Sequence, residues 1–352
     1  MAGITRRELL VLGVIALFTA LAGIAHYAGA AALLAFAIAT VALAGLAWVV
    51  SFATEQVGER FGPAITGVLQ STLGNLPELF IVIFALRAGQ TVVAQTSIIG
   101  SLLANALLVL GLVLVVGARR SKDGLMRFHK RLPNDTATLL MVCVFIIVVV
   151  AVSLASHDPA SHHVKGISTI AAIALLVVYI TWLIPYLRSD QEPTSGDGPR
   201  VALPTAMTLL AVAGVGSAFV SDWFIDALQP AIDKLGVSQA FAGLVIVAIA
   251  GNAVENFTGI VLANRGQSDL AVSVVKNSVS QIAAFLFPVL VLISLFFKHT
   301  LTFAMAPVYA AALALTALSV WQITGDGEAA EFEGWALVAI YVVLAAVTLY
   351  EA

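Results

Sequence analysis

The chain has 352 residues, of which 61% are hydrophobic and 11% charged, with a mean hydropathy of +1.03 and a formal net charge of −3. Soluble globular chains are about 25% charged, so this composition excludes an ordinary soluble domain and predicts one all-α polytopic domain in a lipid bilayer. The small, dispersed charge gives no sign of a nucleic-acid partner, and the single cysteine, Cys143, excludes an intrachain disulfide.

A helix needs about 20 apolar residues to cross the hydrocarbon core. Cutting the chain at charged or Gly/Pro-rich interruptions predicts eleven spans, near residues 8–27, 29–54, 62–87, 91–118, 134–156, 164–187, 201–228, 238–264, 268–297, 300–323 and 331–350. The first opens with Arg6 and Arg7 as a signal peptide would, but its apolar run from Leu9 to Tyr27 outlasts a signal core. It is read as a retained extra helix, residues 1–28. Residues 29–187 then make a first repeat of five helices, 188–200 a polar cytoplasmic linker, RSDQEPTSGDGPR, and 201–352 a second repeat of five.

Lys and Arg near span ends favour the cytoplasmic side. With the N-terminus inside, twelve such residues fall on inner segments and only Arg87, Lys165, Lys234 and Lys298 on outer ones. The C-terminus is then expected on the opposite side, and the location expected is a prokaryotic plasma membrane.

Along the first repeat, Glu55 closes the second span, Gly74-Asn75-x-x-Glu78 occupies the third, and Ser101 and Asn105 stand one turn apart in the fourth. The second repeat echoes this order. Gly251-Asn252-x-x-Glu255 follows the first motif by 177 residues, and the same offset relates Gly89-Gln90 to Gly266-Gln267 and Ser101 to Ser278. Two copies of five helices in one chain have opposite orientations, the inverted-repeat architecture of secondary transporters with substrate near the midplane.

Of the twenty acidic residues, only Glu78 and Glu255 fall well inside predicted spans. An ionised carboxylate at that depth costs about 2.5–3.5 kcal/mol on insertion scales, so it faces protein or water and needs a partner. Glycine permits close approach and local unwinding, and Pro77 removes an amide donor and frees a carbonyl a turn earlier. Carboxylates, amides, hydroxyls and freed carbonyls together suit calcium, which takes six to eight oxygens; packing of helices through small residues is the competing account of the glycines. Asn277 and Gln281, with Ser278 and Ser280 between them, repeat the polar face of Ser101 and Asn105, with interhelical hydrogen bonding as the plainer alternative. Glu55 and Asp222, read as lying near the ends of the second and seventh spans, either attract cations at the mouths or snorkel to water. Lys276, the one Lys or Arg well inside a span, either approaches Glu255 or snorkels.

None of the six histidines falls mid-span, so any proton carrier in the membrane is a carboxylate. No nucleotide-binding loop, His/Cys zinc arrangement or HExxH pattern is present, which gives no support to an enzyme or an ATP-driven pump, and no cofactor is expected.

The segments STLGNLPELFIVIFALRAGQ and IIGSLLANALLVLG in the first half, and IAGNAVENFTGIVLANRGQSDLAVSVVKNSVSQIAAFLFPVLVL in the second, resemble the two characteristic regions of the calcium/proton antiporter (CAX) family of the cation/calcium exchanger superfamily. The resemblance extends over all eleven predicted helices. It implies that Glu78 and Glu255 alternately bind calcium and protons, and that Gly74, Asn75, Gly251, Asn252, Ser101, Asn105, Ser278 and Gln281 line or support the site. It also implies that Glu55 and Asp222 assist, and that the second and seventh helices slide to change which side the site faces. Leu76-Pro77 and Asn277 depart from the family pattern, and Lys276 adds a cation nearby. Within this class, sodium/calcium or another cation/proton exchange is the alternative. A cation channel, with both glutamates lining an open pore, is the reading from a different class.

Overall fold

The computed structural model describes residues 3–58, 60, 69, 72–129, 131–188 and 199–351, without the side chains at 131–136, 186, 188 and 254–256. Most of the predicted linker, and residues 61–68 of the third predicted span, lie outside the described residues. Among the described residues, twelve helices with both ends placed carry the fold: α1 Arg6–Tyr27, α2 Ala32–Gly58, α3 Leu76–Arg87, α4 Thr91–Arg120, α5 Arg131–Ala155, α6 Val164–Arg188, α7 Leu203–Leu235, α8 Gln239–Gly251, α9 Ala253–Asn264, α10 Ser268–Ser294, α11 Pro307–Thr324 and α12 Glu331–Leu349. Two short strands, β1 Leu125–Arg127 and β2 Glu328–Ala330, pair antiparallel.

Among the described residues, nine helices are long and apolar enough to cross a membrane. They answer to nine of the eleven predicted spans. The other two, 62–87 and 238–264, carry the GN motifs, and each is interrupted at its Asn: helix stops before Asn75 and Asn252 and restarts after them. The restarted pieces, α3 and α9, are both 12 residues long and stand 177 residues apart at both ends. The repeat also holds in the backbone beyond them. Gly89 and Gly266 take φ +77° and +78°, a left-handed turn that suits glycine. Gln90 (−82°, 62°) and Gln267 (−90°, 63°) then launch α4 and α10.

Local chemistry sets the helix ends. A capping box between Thr5 and Glu8 starts α1, and Pro307 at the first position starts α11 later than predicted. α7 runs through Pro230 to Leu235, seven residues past the predicted end, until Gly236 at φ +66° caps it.

The chain divides into two compact units: one of residues 1–88, 181–237 and 250–254, the other of 89–180, 238–249 and 255–352. In the first, α7 lies along α2. The ring of Phe36 meets Phe224 at 4.9 Å, and Gly216 clears space for Leu46. The start of α1, the end of α2 and the start of α7 meet through Arg200 to Glu8 (3.0 Å), Arg60 to the Val201 carbonyl (2.8 Å) and the Gln56 side-chain carbonyl accepting from the Arg200 and Val201 amides. At the other end of α1, His26 faces Asp226 at 3.8 Å and stacks on Trp223.

In the second unit, loops again sort into two ends, as alternating spans require. The β1–β2 ribbon, Arg119 with Glu331 (2.6 Å) and His129 with Asp269 gather one set. Gln95 with the Ala304 carbonyl, Ser168 with the Phe303 amide, and Ser238 with the Thr348 carbonyl gather the other. Beside the ribbon, hydrogen bonds from Arg127, from Ser121 and from the Leu125 amide hold the Asp123 carboxyl below the usual carboxylate range. Its folded value being depressed, this anchoring is complete above the ordinary Asp range and is lost as pH falls through the lowered value.

Candidate functional site

Because each helix restarts after Asn, the glutamate three residues on falls in a first turn. Glu78 is the third residue of α3 and Glu255 the third of α9. Free amides at a helix start carry partial positive charge, which favours a carboxylate there. Glu78 is 2% exposed and Asn75 4%. In the first unit the other motif approaches them: a Cβ placed on Gly251 would stand 3.9 Å from the Glu78 Cβ, and Asn252 beside it is buried. Gly74, Asn75, Glu78, Gly251 and Asn252 are thus drawn together, while the Glu255 side chain lies outside the described residues.

The second unit holds the remaining polar positions. Ser101, Asn105, Ser278 and Gln281 are all buried, on α4 and α10, which pack together. The Asn105 amide donates to the Ser101 carbonyl at 3.0 Å. Both helices widen to π geometry in matching places, Ala104–Val109 and Ile282–Leu286, and α8 does so at Ala242–Val247. Such π segments interrupt the regular backbone ladder and occur often at functional sites.

Two predicted placements change. Asp222 is not near a helix end: since α7 continues to Leu235, it lies well inside that helix, exposed, whereas Glu55 is exposed one turn before the end of α2. Lys276 is 3% exposed, and its amine donates to the Thr324 hydroxyl of α11 at 2.5 Å, toward the β1–β2 end. That hydroxyl in turn donates to the Val320 carbonyl, and apolar side chains including Leu110, Leu140 and Val279 surround the lysine. At about 100° per residue, Ser278 projects about 160° away from Lys276 around α10. Lys276→Met is therefore expected to leave the calcium affinity and pH dependence of exchange unchanged. Flux assays on the variant check this, and a shift in either would bring the amine back to the site.

Comparison with known proteins gives this arrangement a family. The model of the family described as sodium/calcium exchanger protein matches residues 31–185 and 205–350. The vacuolar calcium ion transporter of Schizosaccharomyces pombe is 30% identical over 327 residues, covering 90% of this chain and 79% of that protein. The Ca(2+)/H(+) antiporter ChaA of Bacillus subtilis is 30% identical over 316 residues, covering 88% and 90%. Among solved structures, native YfkE is similar with a TM-score of 0.81 and 28% identity over 96% of this chain and 99% of its own. The H+/Ca2+ exchanger CAX follows with a TM-score of 0.76, covering 98% and 93%; its 16% identity bears on the fold alone. With its paired GN-x-x-E motifs each opening a restarted helix, the chain belongs to the sodium/calcium exchanger family, on its calcium/proton antiporter branch.

Proposed function

We propose that this multi-pass membrane protein is a secondary active antiporter that exchanges calcium for protons by alternating access, with Glu78 and Glu255 binding either cargo. The observation that carries the reading is the matched pair of restarted helices, each with its glutamate in the first turn. The names of the relatives supply the cargo: antiporters of Ca2+ and H+ recur among proteins that this chain matches over most of its length. Asn75, Asn252, Ser101, Asn105, Ser278 and Gln281 support the carboxylates with further oxygens, with Gly74 and Gly251 admitting close backbone approach, and Glu55 and Asp222 draw cations toward the protein. The N-terminus faces the cytoplasm and the C-terminus the opposite side, a reading supported by the distribution of Lys and Arg.

Calcium binds the ionised carboxylate and a proton the same oxygens, so each cargo displaces the other. Apparent calcium affinity should therefore rise with pH through the titration of the two groups. It is measured as the calcium concentration giving half-maximal exchange from about pH 5 to about pH 9, the range that brackets perturbed carboxylates. An affinity constant across that range contradicts competition at shared groups.

A further inference from the structure

We propose that His26 of α1 with Asp226 and Trp223 of α7 forms a pH-sensitive latch, which holds α7 more firmly when His26 is protonated and so slows exchange. Its transport readout rests on the calcium/proton reading above, but the effect is separate from competition of the two cargoes for the glutamates. The imidazole Nδ1 stands 3.8 Å from an Asp226 carboxylate oxygen, and the ring stacks on the Trp223 indole with centroids 5.8 Å apart and planes 24° apart. Tyr27 meets both rings edge-on. Gly23 makes room for this contact, since a Cβ there would stand 3.0 Å from the Trp223 ring. Ring packing needs no carboxylate, whereas the Asp226–imidazole pair adds attraction that depends on charge. At 3.8 Å a neutral imidazole makes no hydrogen bond to Asp226. A protonated one is drawn both to that carboxylate and to the face of the indole. Imidazole is the side chain whose charge ordinarily changes between about pH 5 and pH 8. The other groups that bear on it are few. Asp222, one turn before Asp226 and exposed, adds to the same negative field, while Asp233 and Lys234 lie at least seven residues, about 10 Å, further along α7. On α2 no ionisable side chain precedes Glu55, at the far end of that helix.

The latch falls on a helix that also packs against the carrier of Glu78. Gly214 of α7 faces Leu76 of α3, and at about 100° per residue Trp223 lies about 180° round from Gly214. α7 thus holds α3 on one face and is held by α1 on the opposite one. Alternating access requires arrangements in which the packing around the glutamate helices differs. A proton, like any ligand, shifts such an equilibrium only through contacts that differ between its states. A charged contact made in the arrangement seen here stabilises it as pH falls, and slower departure from it slows turnover. His26 is the penultimate residue of α1, so the pH that counts is that on the membrane face opposite the start of the chain.

The test compares maximal calcium/proton exchange, at saturating calcium and equal pH on both faces of the proteoliposome, in the parent, His26→Gln, Asp226→Asn and the double variant. At about pH 8, where imidazole is neutral, the four rates should agree. At about pH 5.5 each variant should run about threefold faster than the parent, a size that an exposed ion pair supports. The double variant should be no faster than the single ones, because either change breaks the same pair. Half-saturating calcium should keep the parent's pH dependence in all of them, since competition at the glutamates is untouched. His26→Arg supplies a fixed charge that also stacks on indole; it should match the parent at about pH 5.5 and run about threefold slower at about pH 8. A parent-to-variant ratio that is the same at both pH values, or effects that add, overturns the latch and leaves the cluster as an aromatic anchor at the membrane interface. If the neutral variants fail to fold, His26→Arg decides, and a rate equal to the parent's at both pH values overturns the proposal. A parent without calcium/proton exchange overturns the underlying reading. The melting temperature then decides for the latch: His26→Gln should lower it by about 1 °C at about pH 5.5 and not at about pH 8, and a difference independent of pH overturns it.

Discussion

Glu78→Gln and Glu255→Gln each reduce calcium-driven proton movement to the level of empty liposomes while the protein stays folded. The physical case is one of magnitudes. An ionised carboxylate at membrane depth costs about 2.5–3.5 kcal/mol. The helix start beneath each glutamate returns about 0.3–1 kcal/mol, and about 2 kcal/mol at most in partly buried geometry. The remainder must come from a bound cation or be avoided by binding a proton, and those are the two cargoes. Glutamine preserves the volume and one carbonyl but neither the charge nor the titratable proton, so the variant loses both binding modes together. Reconstituted flux with a thermal-unfolding control checks the result, and near-native coupled flux in either variant would remove that residue from the mechanism.

Gly100→Val should prevent stable folding or lower stability by about 3 kcal/mol, the upper end of the cost of overpacking a core. A Cβ at Gly100 would stand 2.5 Å from the Leu244 Cα and 2.7 Å from its carbonyl carbon, with the carbonyl oxygen closer still. The obstacle is backbone, so no rotamer change relieves it. Gly243 admits the same approach from the other helix: its Cβ would meet the Val93 carbonyl at 3.0 Å. Here α4 and the π segment of α8 touch main chain to main chain, the packing that small residues allow inside a membrane. Thermal unfolding in detergent checks this, and a variant as stable as the parent would show that the two segments separate without cost.

The repeat was legible because its signal is chemical: Gly, Asn and Glu at fixed spacing in apolar sequence are rare enough to keep one register over 177 residues. Hydropathy likewise marked the long spans, since the bilayer imposes one length on all of them. The break after each GN motif was readable only as a tendency, through glycine and Pro77, because where a helix stops depends on what packs against it. The π segments were invisible: ANALLV, AGLVIV and IAAFL are ordinary helical sequence. The seventh span was cut at residue 228, seven residues before α7 ends at Leu235, and that misplaced Asp222. The partner of Lys276 stands 48 residues away on another helix, a distance at which a single sequence carries no pairing signal. Repeat symmetry also has limits that matter to packing: the counterpart of Gly100, where no side chain fits, is Asn277.

Calcium uptake into sealed proteoliposomes under an imposed pH gradient, in sodium-free medium and again with sodium, tests the central claim most directly. The account predicts uptake that requires the proton gradient, proceeds without sodium and moves protons in the opposite direction. Calcium entry without any counter-ion gradient, as through a channel, or entry that depends on a sodium gradient and ignores the proton gradient, would contradict it.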